Sequence, residues 1–508
     1  MHKSGSITIF LSLALVIITS LFLTLLESAR LYGLIAQSDM EGDLLLEFKM
    51  AAYQKEVFDR YHLYCLEANQ GGTLDLAGVE QELLTEGEAN LAGEALSFYR
   101  MALTEAVAVN YCLMTDDSGV AFRQQAADYM KRNLLSTGIE KLYEHAMQAE
   151  EITADVGNVD QKIDTAETEL KKEKAAQSAG TAESTGTAEP TGATLAGESP
   201  STGEVEVSQA EIDKAAKMDN PLEHVKELKN KGILSMVVED VSEVSQLIIT
   251  EDNLTGRVCN QGNYEKQKEI GAGDAIFFKE YLIQEFGCYT GTKENTALAY
   301  ELEYLIANKD SDADNLTAVV ERLLGIREAV NYVYLRSDKE KYALSHTMAL
   351  AIAGVSVNPL IIAAVREGIL AAWAFTESVG DVKTLLAGGK VPLLKSQTDW
   401  NLNVENLSET VEQGDETQQK ENGLSYTDYL RIMLYMSGGD KLAMRALNIM
   451  EQNIRLELDD TDFYMDCMIA VMRIEAVYEA NSLFFEILQS KTGWNRAYSF
   501  PISKEFGY

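Results

Sequence analysis

Asp310, Asp312 and Asp314 stand at alternate positions, and Glu321 follows at the twelfth position of the same stretch. This is the one metal-like spacing in the chain. Oxygen ligands at positions 1, 3, 5 and 12 are what a calcium loop offers a hard cation. The sixth position, where such a loop turns on glycine, is Asn315. Thr317 to Glu321 also fits the start of a helix, which would aim Glu321 away. The same residues therefore read equally as a solvated loop whose Asp314 or Asn315 caps the next helix.

Other chemistry is hard to assemble. His2, His62, His145, His224 and His346 are isolated, with no HExxH spacing. There is no GxSxG elbow and no GxxxxGK[ST] phosphate loop. Gly388-Gly389-Lys390 is too short to cradle phosphate and reads as a helix C-cap. Cys65, Cys112, Cys259, Cys288 and Cys467 contain no CxxC pair. A bridge between Cys65 and Cys112 is conceivable, and buried reduced thiols are the plainer reading. The expectation is a protein that is not an enzyme and needs no cofactor.

The elements around these residues are organised by one stretch, Gly5 to Arg30. Ile7 to Leu26 has no charged residue and, as a helix, is about 30 Å long, the hydrocarbon thickness of a bilayer. The run is longer than the apolar region of a cleaved signal peptide. Lys3 and the amino terminus flank it on one side, and Asp39, Glu41 and Asp43 follow on the other. Basic flanks stay inside, so the N-terminus is expected in the cytoplasm and the bulk outside, held by a single pass through lipid at residues 7–26. Glu27 and Arg30, three apart on one helix face, suggest either an assembly contact at the membrane edge or an ordinary interfacial pair.

The 508 residues are 46% hydrophobic and 24% charged, with a formal net charge of −37. That charge repels phosphate and argues against nucleic acid as a partner. Five segments follow: a basic leader (1–5), the membrane helix (6–27), its continuation and the first part of a body (28–139), a charged insert (140–231) and the rest of the body (232–508). Leu46, Met50, Tyr53, Val57 and Tyr61 carry the helix onward past Arg30. Strands are expected over Arg60 to Leu66, Leu103 to Met114, Ala297 to Ile306, Val391 to Leu394, Asp466 to Ala480 and the end of the chain. The insert reads as an exposed helical hairpin or coiled-coil arm with a disordered tip at 175–207. Asn315 to Tyr334 is a clear amphipathic helix. Thr347 to Val365 is uncharged, but Asn358-Pro359 splits it into pieces too short to span a bilayer. The fold class is α+β: a membrane helix continuing into a body with an antiparallel sheet and a large helical part.

GSITIFLSLALVIITSLFLTLLESAR, EVFDRYHLYCLE, FRQQAADYMK, ALAYELEYLIANKDSDADNLTAVVERLLGIREAVNYVYL, LLAGGKVPLLKSQTDW and LSYTDYLRIML together resemble an uncharacterised family of membrane-anchored proteins of anaerobic Gram-positive bacteria. The likeness covers most of the chain outside the insert. At the N-terminus that family is similar to TadE/TadG-like pseudopilins, which implies Tad (Flp-type) pilus or secretion proteins as partners. A pilin-like leader implies processing between Gly5 and Ser6. Pilins carry Glu at the fifth mature position, where this chain has Phe10. The role this implies is structural, as a pseudopilin-like component; the alternative is a membrane-tethered module that binds a ligand or calcium.

Overall fold

No proline and no glycine pair interrupts the chain from Lys3, and the computed structural model carries it as one helix, α1 (Lys3–Ala51), 49 residues and about 74 Å long. The structure describes residues 3–92, 98–133, 139–179, 207–218, 220–249, 253–265, 270–354, 358–400, 402, 423–484 and 497–508. The helix has two halves. Over Ile7 to Leu26 the apolar side chains stand free of the body; Phe10 is 72% exposed and Leu25 62%. From Glu27 onward one face is buried, with Leu34, Leu45, Leu46 and Met50 in a core. Two glycines permit this docking. A β-carbon on Gly33 would stand 2.1 Å from the Tyr99 ring, and one on Gly42 would stand 1.8 Å from Ile502.

The remaining elements follow in order. They are α2 (Lys55–Tyr61), β1 (Leu66–Glu67), a hairpin of β2 (Asn69–Gln70) and β3 (Thr73–Leu74), α3 (Leu76–Ala92), β4 (Ala102–Leu113) and α4 (Asp116–Asn133). Then come α5 (Ile139–Val156), α6 (Asp160–Ala179), α7 (Gln209–Ala215), α8 (Pro221–Asn230), α9 (Ile233–Val237), α10 (Ala272–Glu285) and α11 (Glu301–Ala307). The chain closes with α12 (Asp312–Ser337), α13 (Lys339–Ala353), α14 (Pro359–Leu386), α15 (Tyr426–Tyr435), α16 (Gly439–Leu458), β5 (Met468–Ala480) and β6 (Tyr498–Gly507). This is an α+β protein with a long apolar N-terminal helix.

β5 is the central strand. It pairs antiparallel with β4 along one edge and with β6 and the short β1 along the other. Met472, Ile474, Ala476 and Tyr478 alternate inward while Arg473 and Glu475 face water, the half-buried pattern of an antiparallel strand. The inner face of the sheet packs on α3 and on the second half of α1, which completes one core. A second, larger core is helical and centres on α12 and α14. α12 starts on a Ser311 cap, and Leu316, Val319, Val320, Leu323 and Val330 of its inner stripe are buried. Asn358 caps α14, whose first residue is Pro359, and Gly388 at φ 84° ends it. α14 is apolar enough to cross a membrane but 61% of its most apolar window is buried here, as befits a core helix.

Four expectations are corrected. Ala297 to Ile306 alternates like a strand, yet α11 occupies its second half. Glu301 and Glu303, the residues meant to face water, are buried and take amide protons from Gly287 (2.8 Å) and Tyr289 (2.9 Å). Arg60 to Leu66 is a helix end rather than a strand. α2 runs to Tyr61, His62 turns left-handed at φ 56°, and Leu66 and Glu67 alone pair with β5. Val391 to Leu394 contributes a single bridge, Val391 to Leu424. The charged insert is no arm: Ala146, Ala149, Val159, Ile163, Ala166, Leu222, Val225 and Leu228 belong to the helical core. Within its expected disordered tip, residues 175–179 continue α6, and 180–206 lie outside the described residues. The acidic loop expected over Thr398 to Gly423 also lies largely outside them.

Candidate functional site

The point where α1 passes from its bare half to its buried half is held by Glu27 and Arg30, each only 2% exposed. Their spacing puts both on the face that meets the body. The Arg30 guanidinium reaches Glu27 Oε1 at 3.3 Å and donates through Nε to the Phe98 carbonyl (2.6 Å) and through Nη1 to the Asn481 carbonyl (2.9 Å). It lies 6.0 Å from the centre of the Phe98 ring. Glu27 Oε1 also accepts from the Leu483 amide at 3.4 Å. Phe98 precedes β4 and Asn481 follows β5, so one arginine ties α1 to the end of the sheet where β4 begins and its antiparallel neighbour β5 finishes. Lower down, Lys504 of β6 bridges Asp39 and Asp43 at 2.8 Å each. The Tyr508 hydroxyl donates to the Met50 carbonyl. At this neck the Arg30 guanidinium and Glu27 Oε1 find partners within the chain, while Glu27 Oε2 is buried with no hydrogen-bond partner among the described residues.

Gly5 and Ser6, the residues of the suggested processing site, lie in the first turns of α1 with the helix unbroken across them.

The calcium spacing does not become a loop. Ser311 ends the extended segment and α12 begins at Asp312, so Asp312 and Asp314 point to different sides of a helix. Asp312 is buried and accepts from the amides of Ala299 (2.9 Å) and Tyr300 (3.0 Å) and from the Ser245 hydroxyl (2.6 Å). Asp314 takes the Ser311 hydroxyl at 2.6 Å. Asn315 bonds both backbone groups of Lys309, and Glu321 is exposed farther along α12. Asp310, Asp312, Asp314 and Glu321 thus serve a capped helix start and do not converge. Among the described residues no three His, Cys, Asp or Glu side chains are grouped to hold a metal.

All five cysteines are free thiols, four of them buried. Burial pushes Cys112 and Cys467 up to about 12 and Cys65 higher still, so they stay protonated and unreactive.

One cleft was not foreseen. Asp117, Ser118 and Gly119 form three successive left-handed residues, at φ 48°, 59° and 75°. The Asp116 carboxylate accepts from the amides of Leu113 (2.7 Å) and Gly262 (3.0 Å), which pins the 259–264 loop beside the turn. Burial raises Asp116, and those two amides oppose the rise. Arg257 anchors the same loop through Glu451 (2.7 and 2.8 Å) and Asp466 (2.5 Å). Together they enclose about 380 Å³ lined by Thr115, Asp117, Asn260, Tyr264 and Glu265. Asp116-Asp117-Ser118-Gly119 reads in sequence as a turn, but nothing in it announces a left-handed triplet. Strained backbone of this kind clusters at functional sites.

A family of unknown function (DUF5702) matches residues 211–480, just over half of the chain. No curated protein and no solved structure matches.

Proposed function

Because the chain belongs to a family of unknown function (DUF5702), we propose its role from geometry: a single-pass, membrane-anchored structural component of a Tad-type pilus or secretion apparatus, resembling a pseudopilin. In this reading residues 7–26 lie in lipid, the N-terminus faces the cytoplasm and the body lies outside. Other pilus or secretion proteins are its partners, and nucleic acid is not. The observation that carries the reading is the continuity of α1. One helix supplies a bare apolar half of bilayer length and a buried half packed on an antiparallel sheet. A tether alone needs no such joint, whereas an assembly subunit must hold its body at a fixed angle to its anchor.

A second reading, a tethered binding module without calcium, is favoured by the cleft at Asp116 to Gly119. The N-terminus of the mature protein separates the two. A chain beginning at Ser6 supports pilin-type processing. A chain retaining Met1, with a body open to external protease, leaves the tether. Loss of the whole leader and helix overturns both.

A further inference from the structure

The turn between α5 and α6, the middle of α12 and the end of α15 enclose a cavity of about 480 Å³, far from the neck in sequence and built on the other core. That is the size of a small-molecule site. Val159, Ile326, Met433 and Met436 give it apolar walls. Glu328 lines it too, and is only 6% exposed. Its Oε1 is buried and has no hydrogen-bond partner among the described residues. A buried carboxyl without partners costs stability and calls for an explanation.

We propose that this cavity binds an organic amine, with a single ammonium group set against Glu328 and an apolar chain or ring between the methionines and Ile326. The open acceptor at Glu328 Oε1 sets that choice, since the other charges near the cavity are already engaged. Asp160 of α6 also lines the cavity, with its charge already matched by Lys229. Lys229 of α8 is held by Asp160 at 2.6 Å. Arg322, also on the lining, donates to the Ile306 carbonyl at 3.2 Å. A ligand without a donor would leave Glu328 Oε1 unpartnered, whereas an ammonium both bonds it and matches the charge the carboxyl gains on losing its proton. Burial, reinforced by Asp160 and opposed by Lys229, lifts Glu328 to about 8. In the empty site its carboxyl therefore carries a proton, which passes to solvent when an ammonium arrives. This gives binding a pH signature that simple apolar partition lacks.

The test uses the full chain in lipid nanodiscs and phenethylammonium as the probe, with 2-phenylethanol as its uncharged counterpart. Glu328→Gln in identical discs cancels partition into lipid. Wild type should bind the ammonium saturably and at least about tenfold more tightly than the alcohol, as expected for a charge-assisted bond in a buried site. Affinity should rise by nearly tenfold per pH unit as the pH approaches 8 from below, then level off. Glu328→Gln should abolish the preference for ammonium. Gly325→Leu provides a variant independent of Glu328. Gly325 lines the cavity, and a β-carbon there meets no atom within 4 Å, so the new side chain obstructs the cavity while the helix is kept. It should block the probe without lowering helical content. Equal affinity for the two probes, binding indifferent to pH, or unaltered binding in either variant overturns the proposal.

Discussion

Gly368 of α14 lies so close to Ala166 of α6 that a β-carbon placed on the glycine would stand 2.3 Å from the alanine's. The Lys162 carbonyl would be 3.2 Å away. Two small residues therefore let a helix from the charged insert seat against the centre of the body. Gly368→Leu should push α6 away and lower stability by about 1–3 kcal/mol, the usual cost of overpacking. Denaturant unfolding of the variant measures this. An unchanged midpoint would restore the picture of an independent arm.

At the neck, Arg30→Ala leaves Glu27 buried without its cation and frees two carbonyls. The expected loss is roughly 3–5 kcal/mol, as for breaking other buried pairs. Limited proteolysis should then open the segments around Phe98 and Asn481. The double change Glu27→Leu with Arg30→Met should recover part of the loss. If the pair instead served only an intermolecular contact, Arg30→Ala would leave the isolated protein's stability intact.

Asp312 supports a prediction about the start of α12. Addition of calcium or of a chelator should leave the unfolding temperature unmoved, since the carboxylate is already filled by two amides and a hydroxyl. Asp312→Ala should cost roughly 3 kcal/mol, because those donors lose a charged acceptor. Calorimetry with and without the ion decides both points.

Stability should also fall with rising pH because of Glu303. This side chain is fully buried, and burial lifts it from 4.5 to about 7, against the opposing bonds from the Tyr289 amide and the Tyr426 hydroxyl. The folded protein holds that proton where the unfolded chain has lost it. Its contribution is complete below pH 4.5 and disappears as the pH rises through about 7. Glu303→Gln should flatten the decline across that window, and unfolding followed as a function of pH shows whether it does.

The sequence disclosed the elements whose apolar residues are large and regularly spaced. Val319, Val320, Leu323 and Val330 marked α12, and Met472 to Tyr478 marked β5. It hid those that depend on small or polar residues in the interior. Ala146, Ala149 and Ala166 pack α5 and α6 into the core, but alanine adds little to a hydrophobic pattern. Arg327, 0% exposed, donates to Asp381, to the Pro392 and Leu393 carbonyls and to Tyr429, and Lys395 bridges Glu377 and Asp381. Four charges that cancel can be buried together, and no local pattern says which charges will find one another. At the neck the spacing of Glu27 and Arg30 was visible. Their carbonyl partners, some 70 and 450 positions away, were not.

α1 has no hinge between its bare half and its docked half, and the body begins at Glu27, directly after the apolar run. Once a bilayer takes up the first half, no stalk lifts the body away from it. Tyr99, packed on Gly33, sits only about 10 Å along the axis beyond Leu26, at the depth of the lipid headgroups where aromatic rings settle. Helix and body then share one orientation, so that leaning α1 by a given angle carries the whole body with it, like the head of a lever.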